Sequence, residues 1–395
     1  MKLTPGLAFA LQISMVISFL AGSSAPTPLY PTYQAAWGFS PVMLTVVFGT
    51  YAVSVLGALL VLGTLSDHVG RRPVLLVAAV LQAATMVLYV TATGVEGLIA
   101  ARILQGISTG AAAAAVGAGL LDLDREKGAL ANALSPPIGT ASGSLGAGLV
   151  VQFLPAPTQL VFALLGIVFV IQAVGVWMMT ETAQKRPGVW QSLRPKLQLP
   201  AQVRGPMLIA VPALVAAWAL PGFYGSLGPS LVRKLSGTSS PTLAGLALFV
   251  LAATGAITVY AARNRASREV LQWGTASLIA GVALTLVTVA QGAFGGFLIG
   301  TAIAGAGFGM TFQGAVRSVL PLAAAHQRAG VLSLLYVVAY LSMGTPAVIA
   351  GLRVLHGRDV AGAAQEYGAA VMALAAVAFA GVWVRRPAPV AATNP

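Results

Sequence analysis

Apolar runs of about twenty residues recur from one end of this 395-residue chain to the other, and that recurrence limits the fold more than any other feature. A hydrocarbon core roughly 30 Å thick is crossed by about 20 helical residues. Runs of that length are read at approximately 7–30, 41–63, 73–93, 97–121, 128–153, 158–180, 204–231, 241–262, 270–290, 293–316, 329–352 and 366–384. With 57% hydrophobic and 8% charged residues, the chain has too little polar surface to cover a water-soluble globule. Cysteine is absent, which removes disulfides and thiolate metal sites. The first run ends in AGSSA, as a cleaved signal peptide could; retaining it gives twelve spans and preserves the symmetry described below. The expectation is an all-α polytopic membrane protein.

A formal charge of +13 would suit a nucleic-acid binder, but the positions of the charges argue otherwise. With twelve spans and the amino terminus inside, seventeen basic residues fall in cytoplasmic segments, against Arg233, Lys234, Arg353 and Arg358 on the other side. That is the positive-inside asymmetry of an inner-membrane protein with both termini cytoplasmic. The partners expected are the lipid bilayer, a small molecule and protons, with no nucleic acid, in a chain acting as a monomer.

The chain also repeats itself. ARILQGISTG (101–110) has a counterpart in TAIAGAGFG (301–309), with Gly106 and Gly110 matched by Gly305 and Gly309. SDHVGRR (66–72) matches RNRASRE (263–269), setting Asn264 opposite Asp67 and Arg268 opposite Arg71. These and two further matches share offsets between 197 and 203. They divide the chain into a six-helix bundle at 1–180, a basic cytoplasmic linker at 181–203 and a second bundle at 204–395. Paired halves with a site between them near the membrane midplane are a transporter design.

The stretch GTLSDHVGRRPVLL (63–76) concentrates charge between two apolar runs. It resembles the signature turn between the second and third helices of the major facilitator superfamily, matching at Gly63, Leu65, Asp67, Gly70, Arg71 and Arg72. It departs at His68, where that family usually has Arg or Lys. LIAARILQGISTG (98–110) is similar to the family's fourth-helix motif through Arg102, Gln105, Gly106 and Gly110. GTASGSLGAG (139–148) resembles the fifth-helix motif of its proton-coupled multidrug exporters at Gly139, Gly143 and Gly148, while Ser144 and Ala147 replace a proline and a glycine. The resemblance implies twelve helices in two pseudo-symmetric bundles around a central cavity, working by alternating access.

Asp67 is read as the end of the second helix, where a carboxylate can pair with arginines or face the positive end of a helix in the other half. Such a contact exists only while the cytoplasmic side is closed, and so would act as a latch favouring the outward-open state. Gly63 and Gly70 permit a tight turn there, and Arg71 and Arg72 also suit anionic headgroups.

Arg102 falls inside the fourth helix, where a guanidinium is costly unless it meets water, a carbonyl or an anion. Either it snorkels towards Glu96, or it lines the cavity with Gln105 and responds to substrate or proton; the resemblance favours the second. None of the nine acidic residues is read as mid-span, whereas cation exporters of this family usually carry a membrane-embedded carboxylate. Further cavity candidates, on helices that line it in the family, are Gln12, Trp218, Tyr224, Thr301 and Gln313, with Tyr336 and Tyr340 on the eleventh helix. Pro26, Pro28 and Pro31 break the first span, and Pro221 and Pro229 the seventh.

Gly106-Ile-Ser108-Thr-Gly110 fits the G-x-S-x-G pattern of hydrolases, but it lies within an apolar run. The histidines, His68, His326 and His356, fall outside the spans. No P-loop is present, so a proton gradient rather than ATP is the expected energy source. The function expected is secondary-active, proton-coupled efflux of small amphipathic compounds, neutral or anionic rather than cationic. The alternative is an importer, proton-coupled or facilitative, of a small metabolite or organic anion. Neither reading involves an enzyme, a metal or another cofactor.

Overall fold

The computed structural model describes residues 2–384 apart from 185, 196 and 325–326, so Lys185, Lys196, His326, Arg385 and Arg386 lie outside the described residues. The described residues contain no strand. Twelve long helices run as α1 (Pro5–Ser24), α2 (Pro41–Leu62), α3 (Arg71–Thr91), α4 (Val95–Leu123), α5 (Arg125–Phe153) and α6 (Leu160–Met178), then α7 (Ala201–Ser226), α8 (Pro241–Ala261), α9 (Ser267–Ala290), α10 (Phe294–Val319), α11 (Arg328–Leu355) and α12 (Val360–Val384). The linker carries a one-turn helix, Val189–Ser192. We call the side of the molecule holding the linker and the 63–70 turn the linker face, and its opposite the far face.

Eleven of the helical segments are long and apolar enough to cross a membrane. The twelfth helix, α5, is 29 residues long but rich in small and polar residues. Three of its four hydroxyls are nevertheless satisfied: Thr140 donates to the Pro136 carbonyl (3.1 Å), Ser142 to Gly139 (3.0 Å) and Ser144 to Ala141 (3.2 Å). Asn132 donates to the Gly117 carbonyl of α4 at 2.9 Å. A helix whose polar groups bond to backbone carbonyls stays compatible with lipid despite low hydropathy. Asp124 caps α5, and the Lys127 backbone N–H, bonded to its carboxylate, holds that carboxyl below the usual range.

Each half has its own apolar core, with Met15, Phe19, Leu75, Phe162 and Phe169 in the first and Phe223, Leu278, Phe297 and Val371 in the second. The matched glycines sit at equivalent crossings. Gly106 and Gly110 abut the α2 backbone at Tyr51 and Val55, and Gly305 and Gly309 abut the α8 backbone at Leu251 and Gly255. The sequence repeat is thus a repeat of packing, α4 on α2 and α10 on α8.

The halves meet along α5–α8 and α2–α11. On the far face the seam is close. A side chain at Gly245 would strike the Ser144 carbonyl, and one at Gly148 the Pro241 carbonyl, so only glycine lets these backbones touch. Thr242 donates to the Gly148 carbonyl at 3.3 Å, and Ser240 to Gln152 Oε1 at 2.7 Å. On α2 and α11, Thr45 faces Gly351 and Gly49 faces Val348. On the linker face the polar contacts run instead through the linker: Thr64 to the Ser192 carbonyl (3.0 Å), and the Gln198 amide to the Gly330 carbonyl (3.4 Å). In this state the far face is the sealed one.

Both predicted breaks are present. α1 ends at Ser24, a 3₁₀ turn follows at Thr27–Leu29, and a second helix runs Tyr30–Trp37. α7 continues through Pro221 to Ser226 and resumes as Gly228–Ser236, so its break lies beyond the proline. Two boundaries differ from expectation. α2 stops at Leu62, and Asp67 lies in a separate single turn, Ser66–Val69, rather than at the helix end. α12 begins at Val360, which draws Glu366 into its second turn. There Glu366 is met by Arg353 (2.8 and 3.1 Å) and Arg358 (3.0 Å).

A branched side chain at the tightest crossing should loosen the seal. In the cysteine-free chain, a Ser144→Cys reporter, buried at the far-face crossing, should react slowly with an impermeant maleimide, and several-fold faster once Gly245→Val is added. Equal labelling rates would show that the crossing does not close this face.

Candidate functional site

The turn between α2 and α3 is clamped from within its own half. Gly70 adopts a φ of +110°, which excludes most other residues, and a Cβ there would also strike the Glu181 carboxylate. Glu181 instead accepts from the first amides of α3, Arg71 N at 2.8 Å and Arg72 N at 3.2 Å, capping the positive helix end. The Arg71 side chain pairs with Asp67 (2.5 Å) and Asp122 (3.3 Å) and donates to Ser66 at 2.7 Å. Arg72 donates to the Trp177 carbonyl at the end of α6. The linker adds a second layer: the Arg186 amide donates to the Asp67 carbonyl (3.1 Å), and His68 Nδ1 lies 3.1 and 3.0 Å from the Arg186 and Pro187 carbonyls. Gly63 ends α2 as its C-cap. The turn therefore gathers Gly63, Asp67, Gly70, Arg71 and Arg72, together with Glu181, which sequence reasoning missed because it lies 110 residues away.

The second half holds its equivalent turn with the opposite polarity. Arg317, near the end of α10, donates to the Arg265 (2.7 Å) and Ala262 (3.4 Å) carbonyls. Arg268 donates to the Val382 carbonyl of α12 at 3.1 Å. That contact parallels Arg72 on α6, so Arg268 is the structural counterpart of Arg72 rather than of Arg71.

Arg102 does not snorkel. It is fully buried, and one terminal nitrogen donates to the Ser23 carbonyl (2.7 Å) and to Gln105 Oε1 (2.8 Å). The other terminal nitrogen donates to the Tyr30 hydroxyl. Its carbon lies 5.8 and 5.3 Å from the Tyr30 and Tyr51 ring centres, within range of a cation–π attraction. Tyr89 also donates to Gln105 Oε1, at 3.1 Å. The acceptors around this cation are thus a carbonyl, an amide and hydroxyls, and the ion pairs of the described residues all lie elsewhere. Arg102 Nε and the amide nitrogens of Gln105 and Gln82 have no partner among the described residues.

In the second half the corresponding position is neutral. Thr301, 199 residues on from Arg102, shares a 2.8 Å hydrogen bond with the Tyr224 hydroxyl beside Phe297. Gln12 stands apart, buried near the linker face against Gly119 and donating to the Met179 sulfur at 3.6 Å. Gln313 donates to the Val259 carbonyl at 3.4 Å and leaves its oxygen unpartnered. Trp218 and Tyr340 come together, ring centres 5.3 Å apart, with Tyr336 next to Tyr340. They pack against a cluster that spans the halves through Tyr51, Val55 and Met343.

Two repeated bundles, sealed at one face and joined by a linker, with buried polar groups beside their seam, define a membrane transporter rather than an enzyme. The chain belongs to the major facilitator superfamily, whose family model matches residues 13–347. It works by alternating access. It is 34% identical over 129 residues to the inner membrane transport protein YajR of Escherichia coli strain K12, a match covering 32% of this chain and 28% of that protein. A mutant of the nucleoside transporter NupG superposes with a TM-score of 0.70 at 11% identity, over 96% of this chain and 98% of that one. The human organic anion transporter MFSD10 (TETRAN) superposes with 0.68 at 16% identity, over 97% and 100%. At these identities the likeness is one of fold.

Removing the Arg102 guanidinium leaves the Ser23 carbonyl, the Tyr30 hydroxyl and Gln105 short of donors. Arg102→Ala should destabilise the protein by on the order of 3 kcal/mol, read as a lowered midpoint of thermal unfolding in detergent. Tyr89→Phe, which removes one of two donors to Gln105, should cost about 1 kcal/mol or less. An Arg102→Ala midpoint equal to that of the parent would contradict the role given to this cation.

Proposed function

We propose that this transporter is a proton-coupled exporter of small amphipathic molecules, neutral or anionic rather than cationic, of the drug:proton antiporter branch. It would act in the bacterial inner membrane with both termini cytoplasmic, as a monomer using the proton gradient and no ATP. One observation carries the substrate preference: the fully buried Arg102 has no carboxylate partner among the described residues, while α1, α2, α7, α10 and α11 contain no acidic residue at all. A positive potential without a counter-charge disfavours a cation and favours electron-rich or anionic groups. The E. coli relative, named as an inner membrane transport protein, supports the location. The fifth-helix residues Gly143 and Gly148, which pack on α1 and α8 at the far-face seam, support the exporter branch.

Ser144 and Ala147, which depart from the exporter motif, favour the second reading, an importer of a small metabolite or organic anion. Proton coupling would pass through acids at the membrane boundary, Asp67 or Asp122, or through the substrate itself. In either reading Asp67 is the latch of the linker face. When that face closes, its carboxylate would exchange part of its attraction for Arg71 for a helix end in the other half, with Gly63, Gly70, Arg71 and Arg72 shaping and charging the turn.

Everted membrane vesicles separate the two directions. The exporter concentrates a neutral or anionic amphipathic compound inside them only while a proton gradient persists, and nigericin abolishes the uptake. Accumulation in right-side-out vesicles instead would favour the importer. Asp67→Asn should lower the transport rate at least about tenfold, equivalent to ~1.4 kcal/mol on the switching step, with unchanged protein in the membrane. Transport at the parental rate would remove the latch.

A further inference from the structure

We infer that the seam between the halves carries a binding wall for planar aromatic molecules bearing a carbonyl or ring-nitrogen acceptor. This rests on the reading of a neutral or anionic substrate above and narrows it to a shape and a functional group.

The wall is built around Trp218 of α7. Phe308 and Phe312 of α10 meet its ring edge-on at 6.1 and 5.3 Å, with interplanar angles of 72° and 69°. Tyr340 of α11 lies 5.3 Å from it at 53°, and Tyr336 stands 6.3 Å beyond Tyr340. Two edge-on neighbours fix the indole plane, and a fixed aromatic plane selects flat partners over globular ones because stacking depends on ring offset and angle. These rings are half-buried rather than sealed, and two of them, Trp218 and Tyr340, pack towards Tyr51 and Val55 of α2 in the opposite half. They therefore line the contact that must part and re-form when the halves rock.

Chemistry narrows the ligand further. The Trp218 Nε1–H is buried and has no acceptor among the described residues. A buried donor left unpaired is unfavourable, and a ligand acceptor that reaches it recovers that loss. The four helices involved, α2, α7, α10 and α11, hold no Asp or Glu, so no carboxylate on them would neutralise a bound cation. A buried cation also touches this cluster from the first half: Arg102 lies 5.3 Å from the centre of Tyr51. Its potential favours a ligand whose electron-rich edge points towards the first half. Flatness comes from the aromatic packing, and the acceptor from the orphan indole.

Three small probes separate these requirements when bound to the purified full chain in lipid nanodiscs, with binding to empty nanodiscs subtracted. Coumarin is flat and carries a lactone carbonyl, camphor is a compact cage with a ketone, and naphthalene is flat without an acceptor. Coumarin should bind tightest. Trp218→Phe keeps a ring but removes the N–H, and should weaken coumarin by about three- to tenfold, the worth of one neutral hydrogen bond, while leaving naphthalene within about twofold. Tyr340→Leu, a second variant that does not depend on the tryptophan, should weaken both flat probes and leave camphor unchanged. Camphor binding as tightly as coumarin would overturn the proposal. So would equal losses of coumarin and naphthalene in Trp218→Phe, or no binding above the empty nanodisc. Absence of coumarin binding with gradient-driven export intact would remove the wall alone; coumarin binding without gradient-driven transport would remove the exporter reading alone.

Discussion

A guanidinium enclosed in a helical bundle must find its acceptors within the protein, and where Arg102 finds them shapes the far face. Its partners, the Ser23 carbonyl and the Tyr30 hydroxyl, lie on either side of the break in α1. Inside a membrane-spanning helix an arginine without partners is strongly disfavoured. The carbonyl, amide, hydroxyl and π faces around Arg102 offset that, and in doing so they fix where the first span bends. The bend carries Thr27, whose hydroxyl donates to the Gly225 carbonyl at the break of α7, 3.2 Å away in the other half. A charge buried in one half thus bears on the contact between the halves.

That contact closes by backbone proximity. Glycines at 148 and 245 let α5 meet α8 backbone to backbone, and glycines at 351 and 49 receive the Thr45 and Val348 side chains where α2 meets α11. A seam of small residues with few specific bonds can part and re-form, whereas a seam of ion pairs would have to be rebuilt in low dielectric each time. The far-face ion pairs, Lys234–Asp359 and Arg353 and Arg358 on Glu366, lie within the second half and do not cross the seam, and on the linker face the halves differ. The first half holds its turn with carboxylates, Asp67 and Asp122 on Arg71 and Glu181 on the α3 amides. The second uses Arg317 and Arg268 on carbonyl oxygens. The folds are repeated while the electrostatics are not, so a latch on the linker face is one-sided.

Much of this was legible in the sequence because lipid imposes a length and a polarity on every span. The recurring runs of spanning length located twelve helices, and the most polar of them, α5, bonds its polar residues to backbone carbonyls. The glycine matches Gly106–Gly305 and Gly110–Gly309 located the repeated crossings, because a helix contact without side chains can be written only with small residues. Arg102 and Gln105 stood out for their chemistry, and their spacing by three placed them on one face. What could not be read was long-range. Glu181 caps α3 from beyond α6, Tyr89 reaches Gln105 from a neighbouring helix, and Arg268 corresponds to Arg72 only once α12 is seen to end beside it. No local spacing encodes such contacts, because each joins a side chain to a partner that only packing brings near. His68 belongs here too: read as a departure from a motif, it lies against two linker carbonyls.

Alternating access requires that the two faces never open together. The most direct measurement is a pair of spin–spin distances in the cysteine-free chain: one across the far face between labels at Gln152→Cys and Ser239→Cys, the other across the linker face between Val69→Cys and Ala329→Cys. As pH or a bound amphipathic compound shifts the population, a lengthening of the far-face distance should be matched by a shortening of the linker-face distance, with two discrete distances at each pair. Distances that lengthen together, or a far-face pair that stays fixed under every condition in which transport proceeds, would contradict alternating access.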